Sequence, residues 1–254
     1  MKPDQMRVLL TGASGGIGHA IANRLLEAGA AVLAHGRSES RLRACFGSTA
    51  SIVTGDLCCG EDVERIREAA VGFGVNVLIN NAGHGEFGRF ETSDVEAVMT
   101  TNVIGPLRLT QALLPALRQQ PAAIVANVGS TFGAIGFPGY VTYAASKHAI
   151  RGFSESLRRE LSDTTVDVIY ISPRATRTSM NTEAACKVNE ELGVESDTPD
   201  FVAAEVVKAL CSRRARVQLG SKERMQVRLN ALVPSLVDTA IERQLPTIRQ
   251  FVGP

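Results

Sequence analysis

Tyr143 and Lys147 stand four residues apart in Tyr143-Ala144-Ala145-Ser146-Lys147, so a helix through them puts a phenol and an ammonium on one face. A phenol with a pKa of about 10 is a poor proton donor or acceptor at neutral pH. A cation beside it favours the phenolate and lowers that pKa. The pattern alone is weak, because any exposed helix can carry Tyr-x-x-x-Lys. Thirteen residues upstream, Ser130 closes Asn127-Val128-Gly129-Ser130, where a hydroxyl can hold a carbonyl oxygen beside the phenol. Asn80-Asn81-Ala82-Gly83 and Asn102 lie earlier in the chain. Such a set suits moving a proton to or from a substrate oxygen.

A second constellation suits phosphate. Thr11-Gly12-Ala13-Ser14-Gly15-Gly16-Ile17-Gly18 follows an apolar run and opens a helical pattern. Glycines let the backbone turn tightly and approach a pyrophosphate, whose charge meets the helix N-terminus. The spacing is Gly-x-x-x-Gly-x-Gly, and its place between a strand and a helix predicts a nucleotide site. Gly12, Ser14, Gly16, Ile17 and Gly18 are the candidate contacts. Cofactor choice falls past the next strand, in Ala34-His35-Gly36-Arg37-Ser38. No acid stands at that turn to accept from an adenosine ribose, and Glu39 comes late. Arg37 offers a forked cation suited to a 2′-phosphate, so NADP is expected rather than NAD. A solvated surface arginine is the bland alternative.

The elements that must position these residues alternate. Candidate strands are Arg7–Leu10, Ala31–Ala34, Ser51–Val53, Val75–Ile79, Ala123–Val128, Val166–Ile171 and Arg216–Leu219. Helical patterns run over Gly16–Ala28, Glu61–Ala70, Ser93–Leu117 and Thr142–Leu161. The continuous apolar strands predict an α/β fold: a doubly wound, Rossmann-type parallel sheet covered on both faces, in a single domain over residues 1–220. Two segments depart from the alternation. Thr176 to Asp197 is polar and acidic and follows a strand end, where such folds place their ligand crevice. From Ser221 an apolar pattern continues to the end, and Pro234 predicts its division into two helices. Residues 221–254 are thus expected as a C-terminal helical extension packed on the same domain.

The chain has 254 residues, 44% of them hydrophobic, with Lys+Arg 27 against Asp+Glu 26. The balanced charge argues against a nucleic-acid partner. The absence of tryptophan and the 5% aromatic content argue against a stacking surface for sugars or single strands. Cys45, Cys58, Cys59, Cys186 and Cys211 show no C-x-x-C spacing, which predicts free thiols and no metal site. A short polar start leading straight into a strand, and no apolar run long enough to cross a membrane, predict a cytoplasmic protein.

Taken in order, Thr11-Gly-x-x-x-Gly-x-Gly18, Asp56-Leu57, Asn80-Asn-Ala-Gly83, Asn102, Ser130 and Tyr143-x-x-x-Lys147 make the sequence resemble the short-chain dehydrogenase/reductase family over about Arg7 to Leu219. The resemblance implies that Tyr143 is the general acid or base, that Lys147 lowers its pKa and holds the nicotinamide ribose, and that Ser130 orients the substrate. It implies that Asn102 anchors a water behind Lys147, that Asp56 and Leu57 contact the adenine, and that Asn80 and Ala82 line the middle of the cofactor.

Two departures from the family pattern stand out. Pro173-Arg174-Ala175-Thr176-Arg177-Thr178 carries Arg174 where the family has glycine. Thr176 and Thr178 can still meet the cofactor, while Arg174 either contacts cofactor or substrate or forms a structural salt bridge. The family's tetramer-building C-terminus is replaced by 34 residues, so a homodimer is expected and the tetramer is not assumed. This extension could pack on the domain, form a dimer or partner surface, or touch a membrane through Lys222, Arg224, Arg228 and Arg243.

The expected activity is NADP(H)-dependent hydride transfer between the nicotinamide and a ketone, aldehyde or secondary alcohol, favouring reduction of a ketone or 3-oxoacyl group. Alternatives are oxidation of a steroid-like or sugar alcohol, and an NADP-sensing protein without turnover. Phe132, Phe137, Pro138 and Tyr140, with the segment after Thr178, are the candidate substrate wall. They permit a medium apolar ketone or an acyl-carrier thioester.

Overall fold

The computed structural model describes residues 1–252. Seven strands form one sheet: β1 (Arg7–Leu10), β2 (Ala31–Gly36), β3 (Ser51–Thr54), β4 (Val77–Asn80), β5 (Ala123–Val128), β6 (Val166–Ser172) and β7 (Arg216–Gln218). Their order is β3-β2-β1-β4-β5-β6-β7 and every pairing is parallel. The order reverses between β1 and β4, which opens a crevice at the carboxyl ends of the strands.

Alternate strand residues feed opposite cores, because side chains on a strand alternate faces. Val8, Leu10, Val77, Ile79, Ile124 and Ala126 join one core with Ile21 and Leu25 of α1 (Gly16–Glu27). Leu9, Leu78 and Val125 join the other, with Ile66 of α3 (Gly60–Phe73) and Leu109, Leu113 and Leu117 of α5 (Gly105–Arg118). With both faces covered, β4 and β5 are buried at every position, which is why they read as largely apolar runs, with Asn80 and Asn127 their buried polar exceptions.

The helix expected over Ser93–Leu117 is broken. It divides into α4 (Val95–Met99), a π-helical turn at Thr100–Ile104 and then α5. Pro106 has no N–H to give the carbonyl of Asn102, so the regular ladder lapses there. Besides a helix within the acidic segment, two helices not expected from periodicity also form. They are α2 (Glu39–Phe46), capped by Ser38, and α8 (Pro199–Ser212), capped by Thr198. Both hydroxyls accept from the third helical N–H, as N-caps do. Between α5 and α8 lie α6 (Val141–Glu160) and α7 (Glu183–Glu191).

The acidic segment becomes a flap. It holds α7, and its ends are tied by a parallel bridge between Thr176 and Asp197. The tail divides at Pro234 into α9 (Ser221–Leu232) and α10 (Pro234–Arg249). In α9 no residue is buried, whereas α10 buries Val237 and Ile248. Among the described residues, no helix is long and apolar enough to cross a membrane and no metal-binding cluster occurs. All five cysteines are free.

Candidate active site

The glycine loop is held from β4. Gly12 adopts φ +65°, and a Cβ there would lie 2.8 Å from the Ala82 Cα. Buried Thr11 accepts through Oγ1 from the N–H groups of Asn81 and Ala82, both at 3.0 Å. Asn81 Nδ2 donates back to the carbonyls of Thr11 (3.0 Å) and Gly12 (3.3 Å). The start of α1 has Gly15 as its N-cap, with no side-chain cap and no acid in its first turn. Its leading N–H groups therefore face an open, electropositive end that fits a pyrophosphate. The Thr178 methyl group closes on Gly16, where a Cβ would stand 2.9 Å from it, so the flap reaches the loop.

The remaining candidate contacts sort by what their side chains do. Ser14 Oγ lies beside Gly36 at the end of β2. Arg37, the next residue, is exposed and enters no salt bridge among the described residues. Glu39 is paired with Arg43 at 2.7 Å and is not available to a ribose at β2. Asp56 accepts from the Cys58 N–H (2.9 Å), and that bond, with a smaller pull from Arg37, holds its carboxyl below the usual range. Ile17 packs against the first core and Leu57 lies in the second. Asn80 is buried, donating to Thr110 Oγ1 (3.0 Å) and Asn127 Oδ1 (2.8 Å). Its amide nitrogen is thus engaged inside the sheet, while its buried Oδ1 has no hydrogen-bond partner among the described residues. Thr176 is buried and donates to the Arg174 carbonyl at 2.9 Å.

Tyr143 and Lys147 share the first turns of α6, beside Ser130 at the end of β5. Lys147 is buried, with Nζ donating to the Val128 carbonyl (3.1 Å) and lying 5.6 Å from the Tyr143 ring centre. Burial brings its pKa down to about 8. Burial pushes the Tyr143 phenol up to about 12, against an opposing contact from the Ser130 hydroxyl. Desolvation of the phenolate prevails while the ammonium is directed at Val128.

Asn102, at the π-helical turn, is 2% exposed. It accepts through Oδ1 from the His84 N–H (2.6 Å) and donates through Nδ2 to the His84 carbonyl (2.9 Å) and to Ser146 Oγ (2.9 Å). A Cβ on Gly83 would stand 3.3 Å from Asn102 Oδ1 and 3.7 Å from Lys147 Nζ. The loop after β4 is thereby fixed between the asparagine and the lysine.

Arg174 is structural. Its guanidinium donates to Asp197 Oδ1 through Nε (3.0 Å) and Nη2 (2.8 Å), and to Glu195 Oε2 through Nη1 (2.7 Å). Glu223 of α9 stands 3.8 Å from Nη1, and Lys222 holds the other oxygen of Glu195 at 2.7 Å. One cation thus joins the end of β6, the end of the flap and the start of the extension. Of the two roles open for Arg174 in the sequence, this is the salt bridge.

Sequence reasoning missed the supports. Thr11, Asn81, His84 and Ser146 hold the candidate groups without carrying chemistry, and the paired asparagines after β4 hinted at only one of them. Tyr170 was also missed. It is buried on β6 and donates through its hydroxyl to the Ser130 carbonyl at 3.3 Å.

A family model described as "short chain dehydrogenase" matches residues 6–189. The chain is 34% identical over 253 residues to "Dehydrogenase/reductase SDR family member 7B" of Bos taurus, covering 90% of this chain and 78% of that protein. Among solved structures, a short-chain dehydrogenase/reductase from Burkholderia phymatum in complex with NAD superposes with a TM-score of 0.83 at 24% identity. That match covers 93% of this chain and 96% of the other. A short-chain dehydrogenase from Sphingobium yanoikuyae in complex with NADPH gives 0.76 at 25% identity, over 91% of this chain and 94% of that one. With the reversal point of the sheet, the glycine loop and the Ser130–Tyr143–Lys147 group at one end of the same crevice, the chain belongs to the short chain dehydrogenase family.

Proposed function

We propose that the protein is an NADP(H)-dependent carbonyl reductase acting on ketones or 3-oxoacyl groups. The observation that carries this reading is Arg37, exposed at the end of β2 with no salt-bridge partner among the described residues, beside a site that joins Ser130, Tyr143 and buried Lys147. A free guanidinium there suits the 2′-phosphate of NADP(H), the nicotinamide cofactor that serves reduction.

In this reading the end of α1 with Gly12, Gly16, Ile17 and Gly18 holds the pyrophosphate, and Arg37 with Ser14 holds a 2′-phosphate at the end of β2. Asp56 and Leu57 flank the adenine, and Ala82 with the main chain of Asn80 flanks the middle of the cofactor. Thr176 and Thr178 close over it from the flap. When bound, the cofactor supplies a hydride to the carbonyl carbon and is left oxidised. Ser130 holds the carbonyl oxygen, and Tyr143 gives that oxygen its proton. Lys147 keeps a positive charge behind the phenol as it becomes phenolate, and Asn102 fixes the loop at Gly83 beside Lys147.

Nicotinamide absorbance followed with NADPH against a panel of ketones and 3-oxoacyl thioesters tests the reading. Turnover is expected with wild type, falling by about 100-fold or more in Tyr143→Phe. Full turnover in that variant overturns the assignment.

A further inference from the structure

The chain holds nine phenylalanines and three tyrosines, and five of these twelve gather at one place. Phe132 and Phe137 stack with ring centres 5.4 Å apart and planes 18° apart. Tyr140 tilts against Phe132 at 4.9 Å, and Phe87 tilts against Tyr140 at 4.9 Å. Tyr143 meets Phe132 edge-on, at 87° and 6.4 Å. None of the five belongs to either core, and each is only half-buried, so ring surface is left uncovered around the candidate proton donor. From this cluster we infer that the substrate bound beside Tyr143 is a planar aromatic ketone, an inference that rests on the reductase reading.

Three features point to this class. The stacked pair offers a flat wall, and the tilted rings offer edges, which are the two contacts an aromatic ligand prefers over an aliphatic one of equal size. Two charged groups near the rings are engaged elsewhere: Lys147 donates to Val128 behind the phenol, and Glu86 accepts from Ser93 and from the Asp94 N–H, while Arg89 stands exposed beside Tyr140 and Tyr143. The outer rim adds apolar contacts. Phe87 and Val252, at the end of the extension, both lie against Gly139. The C-terminal segment thus returns to the edge of this cluster, which gives it a part in substrate choice.

The reaction balances as an ordinary reduction. The ketone gains two electrons as hydride from NADPH at carbon and a proton from Tyr143 at oxygen, and solvent reprotonates Tyr143. Two readouts test the substrate class. In the first, 2-acetylnaphthalene, its saturated decalin counterpart and a 3-oxoacyl N-acetylcysteamine thioester are compared with NADPH as co-substrate. The aryl ketone is expected to exceed both in kcat/KM by about tenfold, and Phe132→Leu with Tyr140→Leu to bring the aryl-to-saturated ratio near one. In the second, calorimetry measures binding of the same ketones to the wild-type protein with NADP+, and the same order is expected. Equal binding and equal kcat/KM for aryl and saturated ketones would overturn the inference while leaving the reductase intact. Preferential aryl binding without turnover of any carbonyl would instead leave the aromatic site and overturn the reductase.

Discussion

Arg174 and Asp197 are joined by two hydrogen bonds to one carboxylate oxygen, from Nε at 3.0 Å and Nη2 at 2.8 Å, with the Asp197 side chain only 7% exposed. This pair sits where the flap returns to the sheet. The Asp197 N–H donates to the Ala175 carbonyl and the Arg177 N–H donates to the Asp197 carbonyl beside it. Truncating the arginine leaves a nearly buried carboxylate without its charge partner, which typically costs about 3 kcal/mol or more. Arg174→Leu is therefore expected to lower the melting temperature by several degrees and to expose residues 176–198 to limited proteolysis. Retention of wild-type protease resistance would show that the flap is held by other contacts.

The clasp was half legible in the sequence. A cation at Arg174, in place of a small residue, was visible, and so was the run of acids ahead of it. Which acid it meets depends on the flap folding back through α7, a tertiary event that no local spacing encodes. Strands were the opposite case. In β1 and β5, largely apolar runs bounded by turn residues place both ends correctly, because a strand covered on two faces has few polar positions, here Arg7 at the start of β1 and Asn127 inside β5. The helix expected over 93–117 was misread because apolar periodicity continues through a π-helical turn whose cause, Pro106 beside Asn102, is a main-chain effect. Within the candidate site, groups with special chemistry were readable and their supports were not. Thr11, Ser146 and Tyr170 act through ordinary hydrogen bonds that any threonine, serine or tyrosine could make.

Tyr170 sets up a second expectation, at glycines. A Cβ on Gly133 would collide with the Tyr170 hydroxyl and lie 2.8 Å from the Lys147 carbonyl, whereas one on Gly136 meets nothing within 4 Å. Gly133→Ala must therefore shift either β6 or the turn of α6 that carries Lys147. We expect it to lower stability by about 1–3 kcal/mol, as overpacking does, and to depress kcat, while Gly136→Ala stays near wild type. Chemical denaturation and steady-state rates on both variants check this. Indistinguishable behaviour would mean that the loop after Ser130 yields without cost.

The pH dependence of reduction should carry the mark of Lys147. Burial lowers its pKa to about 8, so its charge is complete below that pH and is lost as pH rises through it. The proposed role requires the charged form, hence kcat/KM for carbonyl reduction should be level below about pH 8 and fall up to tenfold per unit above it. Tyr143, at about 12, contributes no limb in the accessible range. A profile that rises through pH 8 would assign the rate to a phenolate base and favour oxidation as the physiological direction.

Arg37 carries the last expectation, on the nucleotide. It follows β2 directly, is exposed, and has no salt-bridge partner among the described residues, while the first acid after it, Glu39, is held by Arg43. A 2′-phosphate placed at the end of β2 would therefore find one free guanidinium and the Ser14 hydroxyl beside Gly36. Charge-assisted contacts of this kind contribute about 1.5–3 kcal/mol each, and an acid in the same place repels the phosphate while accepting from a ribose hydroxyl. Arg37→Asp should consequently shift the ratio of kcat/KM for NADPH over NADH toward NADH by at least 100-fold, mostly through KM. The folded state should be little changed, since the side chain is exposed at a strand end. An unchanged ratio would remove Arg37 from cofactor selection and leave it a solvated surface residue.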